Sequence, residues 1–295
     1  MELNRFYSKI LLFGEHTVNL GSQALALPLP LFGGHWAIDK TKPQYRLSAW
    51  ANYLRQLQLN ETLMLKMDLD AFENDISKGL CFLSDVPQGY GAGSSGVLCA
   101  ALYDRYRTEE KRTLVEYKNG FAQLESFFHG RSSGIDPLVC YLNQPLLIIN
   151  HDMVTTVTTP MYIGEENAMF LLDTHLERDA SVLIQWFLKQ AENEDFKQKC
   201  QTELVYQNNL AINAFLEGHW PNLMKATAQI SQFQYEHLNP LIPIVFQDIW
   251  AECLKDEHTK LKICGAGGGG FILGITKKKS EVAQLLKGYN IRFFF

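Results

Sequence analysis

The chain has 295 residues, 46% of them hydrophobic and 20% charged, with a formal net charge of −5 at pH 7. That length favours two domains, and that composition belongs to a globular protein with a substantial buried core. The negative balance and the lack of any apolar run as long as a membrane span exclude nucleic acid and membrane as main partners, while a local basic pocket for a small anion stays compatible with both.

The first nine residues hold no apolar segment of the kind that marks a secretory leader. Residues 8–18 open with a short apolar strand that ends in Gly14, Glu15 and His16. Lys9 is the odd member of that strand. It reads either as a solvated strand-end lysine or as a cation held near an acidic or phosphate partner. Residues 24–32 predict a second strand, broken by Pro28 and Pro30. A helix is expected over 45–59 and a strand within 61–72, and neither carries recognisable chemistry. Residues 79–86 read as a strand and 96–106 as a helix.

Between them lies PQGYGAGSS, residues 87–95. Gly89, Gly91 and Gly93 permit positive φ and leave no Cβ in the way of a close ligand. Ser94 and Ser95 then stand where a helix begins, with its unpaired N–H groups and positive dipole end. Such a unit is a site for phosphate. It is neither a Walker A loop, since no Gly-Lys-Ser/Thr follows, nor a dinucleotide fingerprint, since the glycines alternate. A plain glycine turn with a serine cap is the alternative.

A helix follows over 112–128, weakened by Gly120. Glu125 and His129 are four apart and share a face at its end, although Glu125 alone reads as a surface carboxylate. Residues 129–137 form a loop. Asp136-Pro137 has the form of an N-cap followed by proline, and a catalytic carboxylate is the sharper alternative. A buried strand is expected over 144–150 and a domain boundary near 152–166. Beyond it come a strand at 169–173, helices at 180–190, 195–217 and 221–235, and helical periodicity from Ile242 to Cys253. Strands follow at 260–264 and 271–276, then a short helix at 280–286 and a last strand at 289–295. Five glycines within residues 265–270 need a reason beyond a hairpin turn, namely close approach to a ligand or to the first glycine loop. The order predicts an α+β C-terminal half with a mainly antiparallel sheet. Six scattered cysteines without C-x-x-C spacing point to a reduced, cytoplasmic chain with no zinc site or disulfide framework.

Four stretches together resemble the signatures of the GHMP kinases: KILLFGEH at 9–16, PQGYGAGSS at 87–95, HGRSSGID at 129–136 and KICGAGGGG at 262–270. Within that family the pattern is most like the mevalonate kinases. Lys9 sets it apart from galactokinases, which usually carry arginine there. The chain departs from the pattern at Ser8, where glycine is usual, at Ser132, where proline is usual, and in a short spacer between the first two motifs.

The resemblance implies a two-domain α+β fold, with a ribosomal-protein-like N-terminal ATP-binding domain over 1–160 and a ferredoxin-like C-terminal domain over 161–295. It implies ATP and Mg²⁺ as cofactors. Pro87, Gly89, Gly91, Ala92, Gly93, Ser94 and Ser95 would wrap the triphosphate, and Ser95 and Glu125 would hold Mg²⁺. Asp136 would act on the acceptor hydroxyl with Lys9 beside it. Glu15, His16 and Gly267 fall near the substrates. The implied reaction is phosphorylation of a small alcohol, mevalonate being the expected acceptor. The alternatives are a sugar or other small alcohol, or a catalytically silent metabolite binder. Lys9, His16 and Arg131 are candidate cations for an acceptor carboxylate, and a homodimer is a possible assembly.

Overall fold

The computed structural model describes residues 4–42, 45–108, 111–150 and 153–295. They form two units. One comprises Met1–Lys9, Pro28–Pro87 and Ala92–Gln144, the other Ile10–Leu27, Gln88–Gly91 and Pro145–Phe295. Both are discontinuous in sequence, so they are drawn differently from the expected spans of 1–160 and 161–295.

The first unit holds the start of β1 (Phe6–Phe13), most of β2 (Ala24–Ile38), α1 (Tyr45–Leu59), α2 (Leu69–Ser77), β3 (Leu80–Ser84), α3 (Ser94–Tyr106), α4 (Leu114–His129) and α5 (Ile135–Leu142). β3 runs antiparallel to β2, from Gly34 opposite Ser84 to Ile38 opposite Leu80. The core is aromatic and anchored by indole N–H groups. Trp50 donates to the Leu124 carbonyl at 3.2 Å and Trp36 to the Ala101 carbonyl at 3.0 Å, so neither ring buries an unmet donor. α4 starts in a capping box, with Thr113 and Glu116 satisfying each other's backbone N–H. Gly120 does not simply weaken that helix. A Cβ there would lie 2.3 Å from Leu65 Cγ, so the bare backbone is what admits the leucine.

Two local expectations fail in this unit. The strand expected within 61–72 is absent. Met67 makes only an isolated bridge to Arg107, and Asp68 caps α2, whose buried Leu69, Phe72 and Ile76 follow helical spacing. β2 also runs through Pro28 and Pro30 to Ile38. The prolines sit between the stretch paired with β4 and the stretch paired with β3, so that edge asks no N–H of them.

The second unit adds β4 (Leu146–Asn150), β5 (Met153–Thr156), β6 (Ala168–Asp173), α6 (Ala180–Gln190), α7 (Glu194–Lys199), a π-helical turn Cys200–Val205, α8 (Tyr206–Leu216), α9 (Trp220–His237), α10 (Gln247–Lys255), β7 (Thr259–Ile263), β8 (Phe271–Thr276), α11 (Lys279–Leu285) and β9 (Asn290–Phe293). β4 pairs antiparallel with both the start of β2 and β5. β5 falls inside the stretch expected to be a boundary, whose residue 152 lies outside the described residues. The other sheet has the order β7-β8-β6-β9 and is antiparallel throughout, as the sequence predicts. Every residue of β7 and β8 is buried. Lys260 is accommodated there because its ammonium bonds the Cys253, Leu254 and Asp256 carbonyls at the C-terminal end of α10, where the dipole favours a cation. All six cysteines are buried. No helix among the described residues is long and apolar enough to cross a membrane.

Candidate functional site

In the first unit β1, the end of the glycine loop, α4 and α5 bring together most of the residues singled out by sequence. Gly93 is the N-cap of α3 at φ 80°, and a Cβ on it would lie 2.9 Å from Lys9 Cγ. The loop thus needs both the left-handed backbone and the missing side chain. The Lys9 N–H donates to the Ala92 carbonyl at 3.2 Å, which ties the loop to β1. The Lys9 ammonium lies 2.8 Å from Asp136 Oδ2, with the lysine side chain buried and the aspartate 35% exposed. Lys9 is therefore not a solvated strand end, and Asp136 keeps a face open to a ligand.

Asp136 is not the cap of α5. Gly134 occupies that position at φ 75°, and Asp136 stands in the first turn. The reason is steric: a Cβ at 134 would lie 1.9 Å from the Lys118 carbonyl, so only glycine lets the chain turn against α4. The Asp136 carboxylate still benefits from the positive end of α5.

Glu125 is buried, not a surface carboxylate. Its Oε1 accepts from Ser95 Oγ at 2.7 Å and its Oε2 from Ser132 Oγ. Burial pushes its carboxyl up to about 7, the Asp136 charge adds to this, and the two hydroxyls and the Lys9 charge oppose it. Ser95 Oγ also lies 2.9 Å from His129 Nε2. A hydroxyl has one proton, and here it goes to Glu125, so the imidazole nitrogen is the donor to Ser95. The shared helix face of Glu125 and His129 is thereby realised. The Gly134 N–H donates to Ser132 Oγ at 2.9 Å. Sequence reasoning noted His129 only as sharing a face with Glu125 and Ser132 only as a departure from the family pattern, and gave neither a role in the site.

Two oxygen ligands from protein, completed by phosphate and water, suit a small hard cation such as Mg²⁺. Ser95 and Glu125 fit that description, since their oxygens are already 2.7 Å apart and one belongs to a buried carboxylate short of positive charge. No group of three or more His, Cys, Asp or Glu among the described residues forms an all-protein metal site.

The second unit holds Glu15, His16, Gly267, Gly89 and Gly91. Glu15 is sealed inside, 2.6 Å from the Lys262 ammonium, with side chains 2% and 1% exposed. Burial raises its carboxyl, and Lys262 opposes the rise. The His16 ring packs on Phe187 with centroids 4.7 Å apart, and its Nε2 lies 3.1 Å from the Ala266 carbonyl. Burial lowers its pKa to about 4, so it is neutral at pH 7. Arg178 binds the Cys264 and Gly267 carbonyls at 2.7 and 3.1 Å and the Tyr90 carbonyl at 3.2 Å. A Cβ at Gly270 would lie 2.7 Å from the Tyr90 carbonyl. The C-terminal glycine run therefore does approach the first glycine loop closely, at Tyr90. Lys262 and Arg178 were not singled out from sequence. A lysine alternating into an apolar strand was the one available signal, and Arg178 offered none.

No family model matches the chain, and no curated protein matches it in sequence. Solved structures do match along nearly its whole length. L. major mevalonate kinase in complex with R-mevalonate is 16% identical with a TM-score of 0.67, over 98% of this chain and 91% of that one. Streptococcus pneumoniae phosphomevalonate kinase in complex with phosphomevalonate and AMPPNP is 15% identical with a TM-score of 0.67, over 99% and 100%. Lactococcus lactis galactokinase complexed with galactose is 14% identical with a TM-score of 0.65, over 99% and 93%. The chain therefore has the two-domain α+β fold of the GHMP kinases.

Proposed function

We propose that this chain is an ATP-dependent GHMP-type kinase that phosphorylates the hydroxyl of a small alcohol, with mevalonate as the favoured acceptor, in the cytoplasm and in isoprenoid precursor synthesis. The observation that carries the reading is the Lys9–Asp136 pair at 2.8 Å, in the same unit as the Ser95–Glu125 oxygen pair and the α3 N-terminus. Support also comes from the four signature stretches and from the fold. On this reading residues 1–160 make the ATP-binding domain and 161–295 the C-terminal domain.

Each group has a defined task. The N–H groups that open α3 meet phosphate oxygens. Asp136 accepts the acceptor's hydroxyl proton at a carboxylate oxygen while the acceptor oxygen bonds to the γ-phosphorus and the bond to the ADP oxygen breaks. Lys9 orients the Asp136 carboxylate through their 2.8 Å contact and offsets charge on the transferring group. Mg²⁺, held by Ser95 and Glu125, would neutralise phosphate charge. Positioning and electrostatics are most of what phosphoryl transfer asks of a protein.

The similar structures differ in the substrate their names carry, at nearly equal TM-scores, so the acceptor is read from turnover. ADP release with MgATP is measured against mevalonate, phosphomevalonate, galactose and homoserine. Turnover with mevalonate alone supports the full reading, and turnover with another acceptor keeps the kinase and changes its substrate. Asp136→Asn is expected to lose about 10²–10⁴ in kcat, the usual worth of general acid–base catalysis, with ATP binding retained. Near-normal turnover in that variant refutes the role of Asp136, whereas no turnover with any acceptor in a folded, ATP-binding protein favours a silent metabolite binder.

A further inference from the structure

We propose that Ser132 is a positioning residue for the metal site, a reading that rests on the kinase function above. Its hydroxyl fixes the Glu125 carboxylate with Oε1 turned to Ser95 and ties that carboxylate to the helix carrying Asp136. The last torsion of a glutamate is broad and soft, so the direction of its oxygens is set by hydrogen bonds and not by rotamer preference. For Glu125 those bonds are Ser95 Oγ on Oε1 and Ser132 Oγ on Oε2. Ser95 is itself a metal ligand on this reading, and a cation would occupy the oxygen that now bonds Glu125. Ser132 is then the protein donor that goes on holding the carboxylate.

The bridge is rigid because both of its ends rest on α4. Glu125 belongs to that helix. Gly134, whose N–H occupies the acceptor side of the Ser132 hydroxyl at 2.9 Å, is wedged against the Lys118 carbonyl of the same helix. With its acceptor side taken, the hydroxyl directs its proton at Glu125. Two residues beyond Gly134 stands Asp136, paired with Lys9. One hydroxyl therefore links the placement of the metal carboxylate to that of the carboxylate that meets the acceptor.

The test uses the full chain, Mn²⁺ as probe and AMPPNP as nucleotide, with bound metal read by electron paramagnetic resonance. Ser132→Ala is expected to weaken Mn²⁺ binding in the presence of AMPPNP by about 10–100-fold, the usual effect of losing an outer partner of a ligand. Its KM for metal–nucleotide should rise by more than its kcat at saturating metal falls. Ser132→Thr keeps the hydroxyl and should bind Mn²⁺ like the parent chain. Parent-like Mn²⁺ binding by Ser132→Ala overturns the role of Ser132 alone. So does a Ser132→Thr variant as weak as Ser132→Ala, which also covers the case in which the alanine variant folds poorly. Absence of Mn²⁺-dependent AMPPNP binding in the parent chain overturns this proposal together with the kinase reading.

Discussion

Lys262→Met tests a buried ion pair in the second unit. Lys262 and Glu15 are 2.6 Å apart, and their side chains are 1% and 2% exposed. The ammonium also donates to the Ile263 carbonyl at 2.8 Å and lies 5.3 Å from the Phe13 ring centroid. Neither charge has water to fall back on. Methionine keeps most of the aliphatic volume but strands the Glu15 carboxylate. Removing one partner of such a pair costs about 3–5 kcal/mol, against a typical domain stability of about 5–15 kcal/mol. Glu15→Gln/Lys262→Met together should cost less than the sum, because neither charge is then stranded. The coupling should be on the order of 2 kcal/mol.

The penalty should also depend on pH in a defined direction. Burial raises the Glu15 carboxyl, and in Lys262→Met the opposing charge is gone. The folded variant therefore takes up a proton at a pH where its unfolded chain stays ionised. A raised carboxyl contributes stability at low pH that is lost as pH rises through its folded value. Lys262→Met should accordingly be least stable, relative to the parent, at pH 8 and less so at pH 5. Urea unfolding of the four chains at both pH values supplies the double-mutant cycle. A cost below about 1 kcal/mol at pH 8, against the 3–5 kcal/mol of a stranded buried charge, refutes the argument. A coupling near zero does the same.

His16 gives the opposite pH signature. Its folded pKa lies near 4 and its ordinary value is 6.5, so the unfolded chain binds a proton that the folded chain refuses between those limits. Its contribution should be fully present above pH 6.5 and fall by up to about 3 kcal/mol as pH drops towards 4, a slope that His16→Gln should flatten. An unchanged urea midpoint profile in that variant counts against it. Gly134→Ala places a Cβ 1.9 Å from the Lys118 carbonyl in a backbone at φ 75°. Left-handed strain of about 1–2 kcal/mol and overpacking of about 1–3 kcal/mol should add, lowering Tm by several degrees and displacing both Ser132 and Asp136. An unshifted melting curve would show that the turn relaxes at no cost.

Periodicity carried the fold where burial is one-sided. The helix over 45–59 has Leu47, Trp50, Ala51 and Leu54 buried on one stripe, and 180–190 coincides with α6. The misreadings at β5 and α5 share one physical origin, which is that a neighbouring element decided the local state. β5 is a Thr-rich stretch whose strand character comes from pairing with β4. The span 61–72 is apolar enough for a strand, but the Asp68 cap and its bond to the Ala71 N–H commit the chain to α2. Asp136-Pro137 looks like a cap by residue type, yet the Gly134 turn against α4 starts the helix one residue earlier than Asp136.

The site shows the same division. Lys9, Ser95, Glu125 and Asp136 stood out through the resemblance of their stretches to the GHMP kinase signatures, since spacing alone left Lys9, Glu125 and Asp136 with purely structural readings as well. Ser132 did not, because a serine in a loop carries no mark of the carboxylate it will meet. Lys262 has its partner 247 residues away. Residue type also overstates available charge. Of the three cations considered for an acceptor carboxylate, Lys9 is engaged by Asp136 at 2.8 Å. His16 is buried and neutral at pH 7, with Nε2 against the Ala266 carbonyl. Arg131 alone of the three is exposed. If a carboxylate-bearing acceptor such as mevalonate is the substrate, recognition through these three residues falls to Arg131, and Arg131→Ala should raise KM for that acceptor while leaving KM for ATP in place. A neutral acceptor such as galactose would feel no such loss, so the same variant separates the two acceptor classes by the charge each requires.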